Sequence, residues 1–449
     1  MYYSINLHKI PCVLKTFAWI NLLDKERKLW HYNHKFCYAE GETLMKRKLA
    51  LVLAVMMFLA ACTFASAENK GGKIVIPNVS YIKQYEIPDN AAMEFVKKMG
   101  IGWNLGNTFD ANDDNWGSRD EMQMEKAWVG VYTTREMIQA VHAAGFNTLR
   151  LPVSWHNHVN KETFEISAKW LDRVQEVVDY AIENGMYVIL NTHHDVYPEF
   201  YYPSSEHYET ASKYIKTIWT QLSERFSGYD EHLIFESMNE PRLRGHEYEW
   251  WFNAASKDCL DAMDCINKLN QLFVETVRAS GGNNQERYLM VPGYAAAADG
   301  ALNDYFKLPT DTADNKIILS VHAYTPYAFA LDAGGDTTFE LTNPGQTGEI
   351  IRFVSNLYKK YVAQGIPVVI GEYGARAKGD NLQSRVNYAA FYVCVASSRN
   401  IPSVWWDNHA FKGNGELFGI FDRRACEFRY PEIVEALMKY AGYDKVTAK

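Results

Sequence analysis

Leu233-Ile234-Phe235-Glu236-Ser237-Met238-Asn239-Glu240-Pro241 is the stretch whose reading decides the fold. An apolar run of strand character ends in an amide, a carboxylate and a proline. Proline has no N–H for a β-ladder, so the strand stops and Glu240 is presented at its carboxyl end. Ile366-Pro367-Val368-Val369-Ile370-Gly371-Glu372-Tyr373-Gly374 is built the same way and also ends a buried-looking strand on a glutamate. Two glutamates at the ends of two apolar strands imply a carboxylate pair at the mouth of a barrel.

Working outward, strands are expected near Gly102–Leu105, Thr148–Pro152, Tyr187–Thr192, Leu233–Asn239, Tyr288–Pro292, Ile317–His322, Val368–Glu372 and Ser403–Asp407. Most are continuous apolar runs, the pattern of parallel strands buried on both faces. Amphipathic helices lie between them: Thr134–Ala144 stopping at Gly145, Ala168–Asn184 at Gly185, and Gly348–Gln364 at Gly365. Eight strands separated by helices describe a (β/α)8 TIM barrel, an α/β fold with a single catalytic domain over 91–443. A doubly wound sheet would alternate similarly but usually with fewer strands. Polar residues gather at the strand ends: Asn104 and Asn107, Arg150, His193 and His194, Asn239 and Glu240, His322 and Tyr324, and Glu372, with Trp405 and Trp406 toward the end of the last strand. In such barrels the active site lies at that face.

Long connections carry aromatic residues. Thr108–Trp128 holds Trp116 and Trp128; Asp195–Tyr208 holds Tyr197, Phe200, Tyr201 and Tyr202; Trp250 and Trp251 follow Pro241. Rings on barrel-top loops suit the flat apolar faces of pyranoses, or simply pack the loops. The chain has 449 residues, 47% hydrophobic and 22% charged, which is ample for a core. A net charge of −8 and no basic run in the body of the chain argue against a nucleic-acid surface.

The N-terminal part reads as targeting sequence. Met45-Lys46-Arg47-Lys48 precedes an apolar run from Leu49 to Ala61, and Cys62-Thr63-Phe64-Ala65-Ser66-Ala67 follows. A basic start, a short apolar run and an Ala-x-Ala end make an export signal over 45–67. Residues 1–44 are then an upstream extension and 68–90 a leader of the mature chain. The run is too short for a transmembrane span. Cleavage after Ala67 would release a soluble protein. Leu59-Ala60-Ala61-Cys62 also resembles a bacterial lipoprotein box, which would leave a lipid anchor at Cys62 on the cell surface. Of the seven cysteines, Cys259 and Cys265 are close enough in sequence for a bridge, and free thiols remain the alternative. No Cys/His spacing resembles a zinc site, so no metal is expected.

Gly102-Trp103-Asn104-Leu105-Gly106-Asn107-Thr108, Leu149-Arg150-Leu151-Pro152-Val153-Ser154-Trp155, Thr192-His193-His194-Asp195, Asn239-Glu240-Pro241, His322-Ala323-Tyr324 and Gly371-Glu372-Tyr373-Gly374 together resemble family 5 glycoside hydrolases. The resemblance covers about 95–440, and the stretches around Trp103 and Trp405-Trp406-Asp407-Asn408 look most like the subgroup of cellulases, lichenases and xyloglucanases. It implies a retaining endo-β-1,4-glucanase with Glu240 as acid/base and Glu372 as nucleophile. It also implies substrate contacts from Arg150, His193, His194, Asn239, His322, Tyr324, Trp406 and Asn104. Trp405 is the neighbouring choice for the stacking tryptophan. No cofactor and a monomer are expected, with a β-glucan polysaccharide or oligosaccharide as the partner.

The residues carry chemical arguments of their own. Retaining cleavage needs one carboxyl protonated to help the leaving oxygen and one ionised to attack the anomeric carbon, about 5–5.5 Å apart. Arg150 beside Glu372 would favour its ionised form; burial and the charge of Glu372 would favour a protonated Glu240. Asn239 can donate to a sugar hydroxyl, and Tyr324 can donate to the nucleophile. Adjacent His193 and His194 on a strand would point to opposite faces, which opposes a shared metal. Glu236, in mid-strand, suggests an interior ion pair with an arginine. The same constellation could serve xyloglucan, xylan or mannan, and a non-catalytic glycan-binding surface protein is the rival from another class.

Overall fold

The structure, a computed structural model, describes residues 73–442, so the expected export signal at 45–67 lies outside the described residues. In chain order come α1 (Ala91–Met99), β1 (Ile101–Leu105), α2 (Arg135–Ala143), β2 (Thr148–Leu151), α3 (Ala168–Ile182), β3 (Tyr187–Asn191) and α4 (Tyr208–Arg225). Then follow β4 (Leu233–Glu236), α5 (Lys257–Ala279), β5 (Leu289–Ala297), α6 (Ala298–Leu302), β6 (Ile317–His322), α7 (Tyr327–Ala330), α8 (Pro344–Lys360) and β7 (Val368–Tyr373). The series ends with α9 (Leu382–Ser397), β8 (Ser403–Asp407) and α10 (Pro431–Tyr440). Strands β1 to β8 close into a barrel in sequential order. Every pairing is parallel, and β8 returns to β1 with Asn104 opposite Trp406.

The helices obey local rules. Asn343 caps α8 by accepting from Gly345 N and Gln346 N, and Pro344 takes the first turn, where no N–H is needed. Gly365 ends that region at φ 81°, ψ 11°, the left-handed conformation that glycine adopts without a Cβ clash. Along α3, Trp170, Val174, Val177, Val178 and Ala181 form one buried stripe against the barrel.

Alternation along the strands sorts residues between two cores. Outward-facing Trp103, Leu149, Leu151, Val188, Leu190, Phe235 and Ile370 join the layer between barrel and helices. Inward-facing Ile189, Ile234, Met290, Ile318, Val369 and Val404 form a second core, into which Phe95, Val96 and Met99 of α1 pack. Two residues farther along those strands the interior turns polar, with Asn104, Arg150, Asn191, Glu236 and Ser320 all buried. The barrel thus has an apolar floor and a polar ceiling.

Two expectations shift here. β4 ends at Glu236, earlier than the expected Asn239. Ser237 N and Asn239 N still bond to Met290 O and Thr192 O, each at 2.9 Å, so the segment carrying Glu240 remains fixed on both sides. Cys259 and Cys265 are free thiols, and a bridge between them is ruled out. Both lie on α5, where six residues of helical rise separate them by about 9 Å, beyond the roughly 7 Å between Cα atoms that a disulfide spans.

Candidate active site

Arg150 organises the ceiling. Its side chain is fully buried, and burying a guanidinium demands partners for its charge and its donors. Nε donates to Glu236 Oε2 at 2.8 Å, Nη1 to Asn104 Oδ1 at 3.0 Å and Glu372 Oε1 at 2.7 Å, and Nη2 to Asn239 Oδ1 at 2.7 Å. Glu236 also accepts from Ser320 Oγ at 2.6 Å and Asn191 Nδ2 at 3.0 Å. The interior ion pair expected of Glu236 is therefore present, and its arginine is the one that orients Glu372.

Glu372 comes from β7. Between β6 and β7 the register slips, so that Val321 faces Ile370 but His322 faces Glu372. Gly371 absorbs the slip. A Cβ there would stand 3.1 Å from His322 Nε2 and 3.5 Å from Arg150 Nε, so a side chain at this position would press on the His322 ring. The second oxygen of Glu372 accepts from Tyr324 at 2.9 Å. Both oxygens are thus held, and the orientation of the carboxylate is fixed.

Glu240 stands across the cleft. His322 Nδ1 lies 2.9 Å from its Oε1, and Arg242 Nη1 lies 3.7 Å from its Oε2 while donating to its carbonyl at 2.9 Å. An oxygen of Glu240, a ring nitrogen of His322 and an oxygen of Glu372 all lie within 4.8 Å of one another. That is nearer the about 5–5.5 Å of a double displacement than the 6.5–9.5 Å that leaves room for an inverting water.

The other expected residues divide by exposure. Asn104 is fully buried, donating to Gly371 O at 2.9 Å and Val404 O at 3.2 Å, so it acts beneath the site and not on substrate. Arg150 is equally sealed. Asn239 gives its oxygen to Arg150, which leaves its NH2 group as a donor. Trp406 faces the interior, parallel to the His193 ring at 6.0 Å, whereas Trp405 packs outward edge-on against Tyr373 at 5.3 Å. The alternation of β8 therefore selects Trp406.

The family model for cellulase, glycosyl hydrolase family 5, matches residues 109–412. The chain belongs to glycoside hydrolase family 5. Endoglucanase 1 of Ruminococcus albus is 44% identical over 361 residues, covering 80% of this chain and 84% of that protein. A GH5 family lichenase from Caldicellulosiruptor sp. F32 is 56% identical with a TM-score of 0.81, covering 82% of this chain and all of that one. A GH5-4 broad specificity endoglucanase from Ruminococcus champanellensis, solved with cellotriose, is 42% identical with a TM-score of 0.73, over 79% of this chain.

Within this family 5 site the protonation of Glu240 differs from expectation. Burial alone would raise Glu240, but the hydrogen bond and charge of His322, with Arg242 and His194, outweigh it and hold the carboxyl below its usual range. Burial works against a charged His322, yet Glu372 and Glu240 outweigh it and raise the ring. Of this pair, His322 is the group whose surroundings favour the proton and Glu240 the one whose surroundings favour the charge. The sequence gives no sign of which carboxylate a strand-end histidine will meet, so the expectation of a protonated Glu240 rested on burial and Glu372 alone. Tyr324 is raised well above the usual phenol range, by burial first and Glu372 next, and so remains a donor.

His193 and His194 lie beyond the end of β3 and do not point to opposite faces. Their rings meet edge to face at 4.4 Å. With Asp110 they form one group whose donor atoms are close enough to share a cation; Glu240, His322 and Glu372 form another. Of the loop aromatics, Trp128, Trp250 and Trp251 are exposed while Phe200 and Tyr201 are buried in the core. Arg242, Asn191 and Ser320 had not been singled out. Arg242 directly follows Glu240-Pro241, and its position there was the available signal.

Proposed function

We propose that this family 5 hydrolase is an endo-β-1,4-glucanase that cleaves β-glucan chains with retention, using Glu372 as nucleophile and Glu240 as acid/base. The observation that carries this reading is the Glu372–His322–Glu240 cluster, within 4.8 Å, with both Glu372 oxygens held by Arg150 and Tyr324. Glu372 attacks the anomeric carbon while the proton shared by His322 and Glu240 passes through Glu240 to the leaving oxygen. In the glycosyl-enzyme, Glu372 is an ester and no longer a carboxylate. Glu240, now ionised, takes a proton from the incoming water, which displaces Glu372. Asn239 donates to a hydroxyl of the sugar being cleaved, and Trp406 supports its apolar face.

The relatives described above are an endoglucanase and a lichenase, which supports β-glucan as the substrate class. A 56% identical lichenase favours mixed-linkage glucan as a second substrate beside cellulose. Reducing-sugar release should be measured on carboxymethylcellulose, lichenan, xyloglucan, xylan and mannan. Activity with falling viscosity on the glucans is expected, and its loss in Glu372→Gln with oligosaccharide binding retained. Activity confined to xylan or mannan changes the substrate, and a near-normal rate in Glu372→Gln removes the nucleophile assignment.

The basic start, apolar run and Ala-x-Ala end of 45–67 support export from the cytoplasm, to where polysaccharide is found. Among the described residues no helix is long and apolar enough to cross a membrane. Mass measurement of the exported protein should find Glu68, or a lipidated Cys62, as its first residue. An intact Met1 contradicts export processing.

A further inference from the structure

We propose that Asn191 is a positioning residue that fixes the His193 imidazole in one tautomer, with Nδ1 accepting and Nε2–H free to donate to the bound sugar. Asn191 is the last residue of β3, fully buried and facing the barrel interior. Val153 N donates to its Oδ1 at 3.0 Å, and a backbone amide is only a donor, so that end of the side chain is oxygen. Glu236, paired with Arg150, is an acceptor, and it takes Asn191 Nδ2 at 3.0 Å. Two independent partners therefore fix the orientation of the amide.

The remaining N–H of that amide has one destination. Asn191 Nδ2 lies 3.1 Å from His193 Nδ1, which must accept. In neutral imidazole the proton is then on Nε2. A doubly protonated ring would set N–H against N–H at Nδ1. Burial, with His194 and Arg150 nearby, also holds the ring well below its ordinary pKa. Among the described residues Nε2 has no hydrogen-bond partner, and the ring lies parallel to Trp406 at 6.0 Å. The N–H is therefore available beside the aromatic surface on which the sugar rests. The same count bears on the Asp110, His193 and His194 group: with one lone pair taken by Asn191 and the other nitrogen protonated, His193 has no free lone pair for a cation.

The donor's target rests on the hydrolase reading above; the tautomer does not. Long-range ¹H–¹⁵N spectra of the full chain with labelled histidine test it, with His193 assigned by loss of its signal in His193→Gln. The native enzyme should show a protonated Nε2 and an unprotonated Nδ1 at neutral pH. Asn191→Asp sets a carboxylate oxygen against Nδ1 and should move the proton there, lowering kcat/KM roughly tenfold to hundredfold. A protonated Nδ1 in the native enzyme overturns the proposal, and that spectrum decides even where the variant does not fold. An Asn191→Asp enzyme with unchanged tautomer and kcat/KM overturns it too. A native enzyme silent on every glycan yet showing Nε2–H supports the role of Asn191 while overturning the hydrolase reading.

Discussion

The two ends of the barrel interior follow the same alternation with opposite chemistry. On β4, Ile234 packs among Met290, Ile318, Val369 and Phe95 in the floor. Glu236, two residues on, joins Arg150, Asn191 and Ser320 in the ceiling. The floor is held by apolar burial, which tolerates small shifts in position. The ceiling is held by charge and directed hydrogen bonds, which tolerate few, since every buried donor needs its acceptor. That stiffness is its use. Arg150 spans the strands and sets Glu372, Asn239 and Glu236 relative to one another, so the catalytic geometry is built into the barrel and not left to loops.

Substitutions on one strand should separate the two halves. Glu236→Gln leaves the buried guanidinium short of a counter-charge, and a loss of about 3–5 kcal/mol in stability is expected. It should also lose roughly 100-fold in kcat through displacement of Arg150 and Glu372. Ile234→Ala should cost about 2–5 kcal/mol by chemical denaturation while leaving kcat per folded molecule unchanged. Normal turnover in Glu236→Gln, or a slow but folded Ile234→Ala, would erase the distinction.

A smaller effect should appear in pH dependence at the edge of the ceiling. His322 is raised, so its contribution to folding is complete below about pH 6.5, the unperturbed histidine value, and is lost as pH climbs through its folded value. Glu240 is lowered, so its contribution is present above about pH 4.3 and is lost as pH falls through its folded value. The stability difference between the native protein and His322→Gln should therefore peak between about pH 4.3 and 6.5. A difference that is flat from pH 4 to 8 would mean that the pair shares no proton.

The sequence showed much of this frame, because strands buried on both faces write continuous apolar runs and their polar ends stand out. Glu240, Glu372 and the interior pairing of Glu236 were readable in that way. The interior roles of Asn191 and Ser320 were not, since a lone polar residue in an apolar run does not name its partner across the barrel. Asn104 was read as a substrate contact because its strand-end place is the same as that of a surface ligand; only its complete burial tells them apart. His322 was placed in the site, but its place opposite Glu372 depends on the slip at Gly371, which apolar patterning does not encode. The Cys259–Cys265 bridge failed because sequence proximity on a helix is not spatial proximity.

The division of labour between the two glutamates is tested most directly by Glu240→Ala acting on an activated aryl β-glucoside oligosaccharide with added azide. Such a leaving group needs no acid, and azide fills the space of the lost carboxylate and needs no base. Restored turnover with a β-glycosyl azide as product is the expected result, because Glu372 attacks from one face and azide returns on the other. An α-glycosyl azide, or no rescue in a folded variant, would contradict the assignment of Glu240 as acid/base and Glu372 as nucleophile.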